Sequence, residues 1–228
     1  MVLEFKKINY KINEITPGIG QVSIFKLSGQ RKLPVLTDAT EVISDSSKIV
    51  KYLEKKYPEP SLTPNNKKNL ALVHIMEDWA DTTMAKGART ALIKATTADP
   101  TLRNALLPDE MPMALRNLVG GLPIEIVSEL SEFLSKGDGA ELFKSLKVLN
   151  ELFKTQQWVV GDNLTSADIA IAAQLSLLKF PTSAGKELTG RGCPGFNDHP
   201  ELKEIFEWRD NIENFIKQQS KEGNEEEV

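Results

Sequence analysis

The stretch GDNLTSADI, residues 161–169, marks the start of a buried helix and decides how the C-terminal part of the chain folds. Thr165 stands where an N-cap is expected. The carboxylate of Asp168, three residues later, can accept the backbone N–H of the cap, so the pair satisfies two donors at the helix start. Residues 166–178 are apolar nearly all round, which is typical of a helix inside a core. We interpret this stretch as a folding device rather than a catalytic one.

A helical pattern surrounds this stretch. Apolar residues recur at helical spacing from about Leu70, again from about Ala140 to Phe153, and along a final helix that begins near Pro200. We therefore predict an all-α domain over residues 67–220. The last eight residues, 221–228, carry four glutamates and one lysine, and they predict a disordered acidic tail.

The first 60 residues predict a small α/β unit instead. Residues 5–12 show a weak strand pattern, and residues 33–36 and 41–43 predict two short strands that form a hairpin. A helix is expected from about Ser46 to Lys56, because its apolar residues share one face and prolines follow it. Residues 61–66 are then a linker to the helical domain.

Composition excludes several classes of protein. The chain has 228 residues, 40% of them hydrophobic and 26% charged, and its net charge is −4. The tail accounts for −3 of this, which leaves −1 for residues 1–220 and no basic field for nucleic acid. No apolar run is long enough to span a membrane. A single cysteine, Cys193, and two histidines leave no cluster for a metal, so we expect no metal and a cytoplasmic location.

Two short motifs point to a ligand. Pro34 cannot donate to a strand ladder, so neighbouring backbone groups can face a ligand. Ser46 stands at a strand-to-helix junction, where a hydroxyl and a free backbone N–H can bind a carboxylate. On the chemistry of these residues alone, Asp45 and Ser46 are interpreted more readily as a simple helix cap.

These motifs carry a family resemblance. The pattern Lys32-Leu33-Pro34-Val35-Leu36, followed by Asp45-Ser46 and later by Tyr57-Pro58, resembles the N-terminal domain of the glutathione S-transferases. The 161–168 stretch resembles the capping motif of the helical domain of the same family. The resemblance implies a truncated thioredoxin-like domain of the α+β class that holds glutathione, followed by an all-α helical bundle that holds a small hydrophobic electrophile.

The resemblance also implies roles for particular residues. Pro34 would be a cis-proline, and the backbone of Leu33 would pair with the cysteinyl part of glutathione. Asp45 and Ser46 would bind the amine and carboxylate of the γ-glutamyl part, and Lys32 would reach the glycyl carboxylate. A solvated surface lysine is the alternative for Lys32.

Several residues of the predicted helical domain also have expected roles. The resemblance would place Trp79 and Met84 beside the electrophile, although plain core packing is the alternative for Trp79. The acidic group Glu77, Asp78 and Asp81 predicts a solvated helix face, with a role in a dimer cleft as the alternative. No residue near Cys193 in the sequence would lower the pKa of its thiol, so we do not expect a reactive thiol there.

The resemblance fails at one place. The family has a first strand and most of a first helix before the segment that begins here at Leu3, and their junction carries the residue that activates the glutathione thiol. Tyr10 and Ser23 do not match that position, so no catalytic residue is assigned. We expect the given sequence to be shorter than the functional protein.

Two functions follow as hypotheses. The first is a glutathione transferase that joins the glutathione thiolate to small electrophiles in its full-length form. The second is a non-catalytic binding or scaffold protein that lacks the catalytic residue. The resemblance also implies a homodimer in which the small domain of one subunit contacts the helices of the other.

Overall fold

The computed structural model describes residues 1–15, 20–107, 111–114 and 139–225. Nine α-helices and two strands are formed within these ranges. The order is α1 (Val2–Phe5), α2 (Gly20–Ser28), β1 (Val35–Asp38), β2 (Glu41–Ser44), α3 (Ser46–Lys56), α4 (Lys67–Trp79), α5 (Ala85–Ala98), α6 (Pro100–Ala105), α7 (Gly139–Phe153), α8 (Ser166–Leu178) and α9 (Lys203–Glu225). Residues Ala80–Met84 form a π-helical turn that makes α4 and α5 continuous.

The small domain is built on a hairpin. β1 and β2 pair antiparallel, with Val35 opposite Ser44 and Asp38 opposite Glu41. Helix α3 packs on both strands and begins at Ser46, so the predicted hairpin and helix are confirmed.

The strand predicted over residues 5–12 is wrong. The chain forms α1 up to Phe5, and residues 8–15 have no regular secondary structure. Phe5 and Lys6 are both buried, although they are neighbours in sequence. The N–H groups of Phe5 and Lys6 donate to the carbonyl oxygens of Met1 (2.8 Å) and Val2 (3.0 Å), so these residues are bonded as a helical turn and cannot pair as a strand.

Lys6 ties the start of the chain to the end of α3. Its ammonium donates to the carbonyl oxygens of Tyr57 (2.6 Å) and Pro60 (3.1 Å) and pairs with Glu54 at 2.6 Å. The Lys6 side chain is completely buried, so these three acceptors replace its hydration. The contact fixes α1 beside the segment that leads into the helical domain.

Helix α8 is the centre of the helical domain. It packs against α4, α5 and α9. Ile171, Ala172, Leu175 and Leu178 are fully buried, as expected from a helix that is apolar nearly all round. Where α5 packs on α7, a Cβ at Gly87 would lie 2.8 Å from the Leu142 side chain, so the glycine lets these two helices approach each other closely.

The capping box predicted at the start of α8 is present. The buried Asp168 carboxylate accepts the N–H of Thr165 (2.8 Å), its hydroxyl (2.8 Å) and the N–H of Val159 (2.7 Å). Burial raises the pKa of the Asp168 carboxyl, while these hydrogen bonds act in the opposite direction. One side chain thereby holds both the helix start and the preceding loop.

Helix α9 extends further than the sequence predicts. Its backbone is helical to Glu225, so residues 221–225 do not form the irregular tail expected from their composition. Residues 226–228 lie outside the described part of the chain. No helix among the described residues is long and apolar enough to cross a membrane.

We expect Lys6→Met to destabilise the fold strongly. The substitution removes the ammonium but leaves the partly buried Glu54 carboxylate and two carbonyl oxygens without their donor, which costs about 3–5 kcal/mol for a buried pair. Lys7→Met is the matched control, because Lys7 is exposed and its side chain contacts no partner in the described structure. Urea unfolding measures both free energies, and an equal effect of the two substitutions would contradict the anchoring role of Lys6.

The same ion pair predicts a pH dependence. Burial alone would raise the pKa of Glu54, but hydrogen bonds from the Lys6 ammonium and the Leu62 N–H, together with the Lys6 charge, lower it below its ordinary value of 4.5. As the pH falls below 4.5, the unfolded chain binds the proton first, so the free energy of unfolding decreases. Unfolding followed from pH 6 downward, on an about half-unit grid, measures this slope.

The variant Glu54→Gln removes the titrating group, so its free energy of unfolding should fall less steeply with acidification than that of the wild type. Glu59→Gln is the control, since Glu59 is exposed and should leave the slope unchanged. Parallel slopes for wild type and Glu54→Gln would rule out this contribution.

Candidate functional site

The hairpin brings the two predicted ligand-binding motifs together. The Leu33–Pro34 peptide bond is cis, as the resemblance implies. The N–H of Asp45 donates to the Pro34 carbonyl oxygen at 3.3 Å, one step beyond the last paired residues of β1 and β2. Residues 33–34 and 45–46 are thus neighbours in space because the hairpin register places them opposite each other.

The start of α3 offers groups that suit an amino acid. Asp45 is the N-cap, and one of its carboxylate oxygens, Oδ1, accepts the N–H of Lys48 at 3.2 Å. This confirms the capping interpretation of Asp45, and it leaves Oδ2 without a partner among the described residues. The hydroxyl of Ser46 and the N–H groups of Ser46 and Ser47 have no acceptor there either. A carboxylate can bind these donors, and an ammonium can bind Asp45.

Asp45 has a positive φ of 85°. A residue other than glycine rarely adopts this conformation, and it costs free energy that the surroundings must supply. The strained residue lies between the Pro34 contact and the α3 cap. The backbone is therefore held in the geometry that presents Ser46 at the end of the hairpin.

A hydrogen bond joins this site to the helical domain. The Ser47 hydroxyl donates to Asp81 Oδ2 at 2.8 Å, and Asp81 lies in the π-helical turn after α4. The prediction that Asp81 belongs to a solvated face is wrong, since it is half-buried and partnered. Sequence reasoning missed this contact because it joins positions 34 apart on different elements, and no local spacing signals it.

Lys32 is not joined to the rest of the site. Its side chain is exposed, and in the described structure it contacts neither Asp45 nor Ser46. The solvated-lysine alternative describes Lys32 as the structure presents it.

Tyr10 and Ser23 both line a groove of about 510 Å³ that Leu33 also lines. The Tyr10 hydroxyl donates to Glu4 at 3.4 Å. Burial raises the pKa of Tyr10, and the nearby Glu4 charge adds to this, so the phenol stays protonated at neutral pH. Ser23 is exposed, and its hydroxyl hydrogen-bonds to no described residue. Neither residue is held by a base that would activate it.

The remaining candidates are structural. Met84 is fully buried in the helical core, although the resemblance would place it beside the electrophile. Trp79 is partly buried against the same core, in agreement with its core alternative. Cys193 is buried, and its thiol donates to the Leu177 carbonyl at 3.4 Å. Burial raises the pKa of this thiol to about 12, so it is not a reactive thiolate at neutral pH. No group of metal-binding side chains occurs within the described ranges.

Among curated proteins, the chain is similar to the stringent starvation protein A homologue of Pasteurella multocida. The two are 29% identical over 84 residues, which is 35% of this chain and 40% of that protein. The homologue from Haemophilus ducreyi matches with the same identity over 84 residues, 39% of its length. The match therefore spans about two fifths of the length of these curated relatives.

Solved structures match over most of the chain. A glutathione S-transferase from Rhodospirillum rubrum F11 is 25% identical with a TM-score of 0.56, and the match covers 92% of this chain and 79% of that one. The theta-class glutathione S-transferase of Xanthomonas axonopodis pv. citri, solved with glutathione bound, has a TM-score of 0.58 at 17% identity. That match covers 92% of this chain and 83% of the Xanthomonas chain.

Two family models match the two parts of the chain. Residues 1–61 match the glutathione S-transferase N-terminal domain, and residues 134–214 match the glutathione S-transferase C-terminal domain. The order of the matches agrees with a thioredoxin-like domain, here with a two-stranded sheet, followed by a helical domain. The chain belongs to the glutathione S-transferase family.

Proposed function

We propose that this protein binds glutathione at the end of the hairpin and transfers its thiolate to small hydrophobic electrophiles. The observation that carries the proposal is the contact of Asp45 with Pro34, which brings the Leu33 backbone and the start of α3 to one place. Family membership supports glutathione as the ligand, and the Xanthomonas relative was solved with glutathione bound.

The free groups of the site match the ends of an amino acid. The γ-glutamyl carboxylate would accept hydrogen bonds from the Ser46 hydroxyl and the N–H groups of the first turn of α3, where the helix dipole favours an anion. The γ-glutamyl ammonium would donate to Asp45. The Leu33 backbone would pair with the cysteinyl residue, and Lys32 would pair with the glycyl carboxylate.

The reaction would be a nucleophilic transfer. The thiol loses its proton to solvent, the thiolate sulfur attacks an electrophilic carbon, a C–S bond forms, and a leaving group such as halide departs with the bonding electrons. Holding both reactants side by side raises the rate, because the bimolecular step becomes effectively unimolecular. No residue in the described part of the chain is assigned to activate the glutathione thiol.

A second function, a non-catalytic glutathione-binding or scaffold protein, is favoured by a specific observation. Tyr10 is engaged by Glu4, and Ser23 has no base beside it. An assay with glutathione and a chromogenic aryl halide separates the two functions. Turnover that depends on Ser46 supports the transferase, whereas saturable glutathione binding without turnover supports the binding protein.

The small domain and α4 each expose apolar residues that fit the proposed homodimer. Val42 on β2 is 41% exposed, and Leu72 and Ile75 on α4 are 40% and 62% exposed. Pairing the small domain of one subunit with the helices of another would cover both surfaces.

The single buried cysteine agrees with the cytoplasmic location that we propose for the protein.

Calorimetric titration with reduced glutathione tests the site directly. Saturable binding is expected for the wild type, and Ser46→Ala should weaken it about tenfold or more, because a hydrogen bond to a charged group is lost. Ser183→Ala is the matched control, since Ser183 is exposed and its hydroxyl has no partner in the described structure. Equal affinities for wild type and Ser46→Ala would disprove the assignment of Ser46.

Light scattering tests the proposed dimer. The wild type should have twice the mass of one chain, and Ile75→Asp should shift it to the monomer, because a carboxylate buried without a partner opposes association. Val148→Asp is the control, because Val148 is 71% exposed on α7, which carries none of the apolar residues proposed for the interface. A wild type with the mass of a single chain at micromolar concentration would exclude the dimer.

A further inference from the structure

A polar cleft lies between the segment that joins α3 to α4, the loop before α8 and the C-terminal half of α9. Its volume is about 590 Å³, which falls within the range of about 300–1,000 Å³ that is typical of small-molecule sites. Its walls are residues 59–66 and 160–165, together with Phe5, Asn69, Phe215 and Gln219. None of these residues belongs to β1, β2 or α3, so the cleft is separate from the candidate glutathione site.

Side-chain amides converge on this cleft from four parts of the chain. They are those of Asn65 and Asn66 before α4, Asn69 in its first turn, Asn163 before α8 and Gln219 on α9. Asn66 accepts the Lys68 N–H at 2.8 Å through Oδ1, which leaves its amide nitrogen free. The other four side chains form no hydrogen bond with any described residue. Because every amide has both a donor and an acceptor, the cleft offers unused groups of both kinds.

A close approach of Gly161 leaves room for the Asn69 amide. A Cβ at position 161 would lie 2.9 Å from the amide nitrogen of Asn69, and Gly161 has a positive φ of 71°, which suits glycine. Asn69 and Gln219 are both half-buried. These two amides have thus lost part of their hydration without gaining a partner in the described structure, and a ligand that hydrogen-bonds to them would replace it.

The charge of the cleft disfavours anionic ligands. No lysine, arginine or histidine is among the described residues that line it, whereas Glu59 and Asp162 are exposed there. A phosphate or carboxylate would therefore meet two like charges without a counterion. The half-buried ring of Phe215 adds an apolar surface. A neutral ligand with many hydrogen-bonding groups and one apolar face fits this combination.

We propose that this cleft binds a neutral saccharide of two or three sugar units. Two adjacent hydroxyls of a sugar ring can donate to the oxygen and accept from the nitrogen of one side-chain amide, so both halves of the amide are satisfied. The C–H face of the ring can pack on Phe215. A peptide presents its donors and acceptors in a line along one backbone, whereas the free amides here come from separate elements around a cleft. The saccharide therefore satisfies more of these groups than a peptide does.

Saturation-transfer difference NMR of the full chain without glutathione tests the proposal, so the result does not depend on the proposed function. The neutral probes are maltotriose, cellotriose and triacetylchitotriose, and we expect saturable binding of at least one, with a dissociation constant below about 10 mM. The double variant Asn69→Leu, Gln219→Met keeps the side-chain sizes but removes both amides, and it should weaken binding about tenfold. Asn104→Leu is the matched control, because Asn104 is exposed on α6 and does not line the cleft.

Further probes separate the other classes of ligand. Trigalacturonate, which is anionic, should bind at least about tenfold more weakly than the neutral saccharide, because Glu59 and Asp162 repel it. The peptide acetyl-Ala-Ala-Ala-amide and the amine spermidine should not bind saturably. Binding of either one as tightly as the best saccharide would overturn the proposal. The absence of binding by all three trisaccharides, or equal affinities of the wild type and the double variant, would also overturn it.

Discussion

The buried carboxylate of Asp168 is the interaction on which the helical domain depends. Three donors converge on it, two from the cap residue Thr165 and one from Val159 in the preceding loop. The helix that it starts, α8, contacts three other helices at the centre of the core. Its first residue, Ser166, donates its N–H to the Leu62 carbonyl at 3.2 Å, so the cap also positions the linker from the small domain.

The small domain is attached to this frame at two further points. Helix α1 packs against α9, and the Lys6 ammonium holds α1 to the end of α3. The Ser47 hydroxyl holds the start of α3 against the π-helical turn of the helical domain. Both contacts act on α3, one near each end. The candidate glutathione site lies at the start of the same helix, so its geometry is set by long-range contacts as well as by the local hairpin.

Local patterns predicted the parts of the fold that local forces determine. The hairpin, α3 and the start of α8 follow from turn chemistry, helical periodicity and capping, and each was predicted close to its observed bounds. The strand predicted over residues 5–12 failed because tertiary contacts bury two adjacent side chains, Phe5 and Lys6. The helical backbone of residues 221–225 was likewise missed, since composition alone favours an irregular tail there.

The candidate site, like the fold, could be predicted from the sequence only in part. Pro34, Asp45 and Ser46 could be selected from their motifs, although their proximity depends on the register of a hairpin that the sequence leaves open by a residue or two. The half-buried Asp81 could not be selected, because its partner Ser47 is 34 residues away on another element.

The most direct test of the account is an amide-resolved NMR titration of the ¹⁵N-labelled chain with reduced glutathione. We predict that the largest shifts occur at the N–H groups of Leu33, Ser46 and Ser47, and that these shifts saturate together with one dissociation constant. Shifts confined to the helical domain, or no saturable shift at these three amides, would contradict a glutathione site at the end of the hairpin.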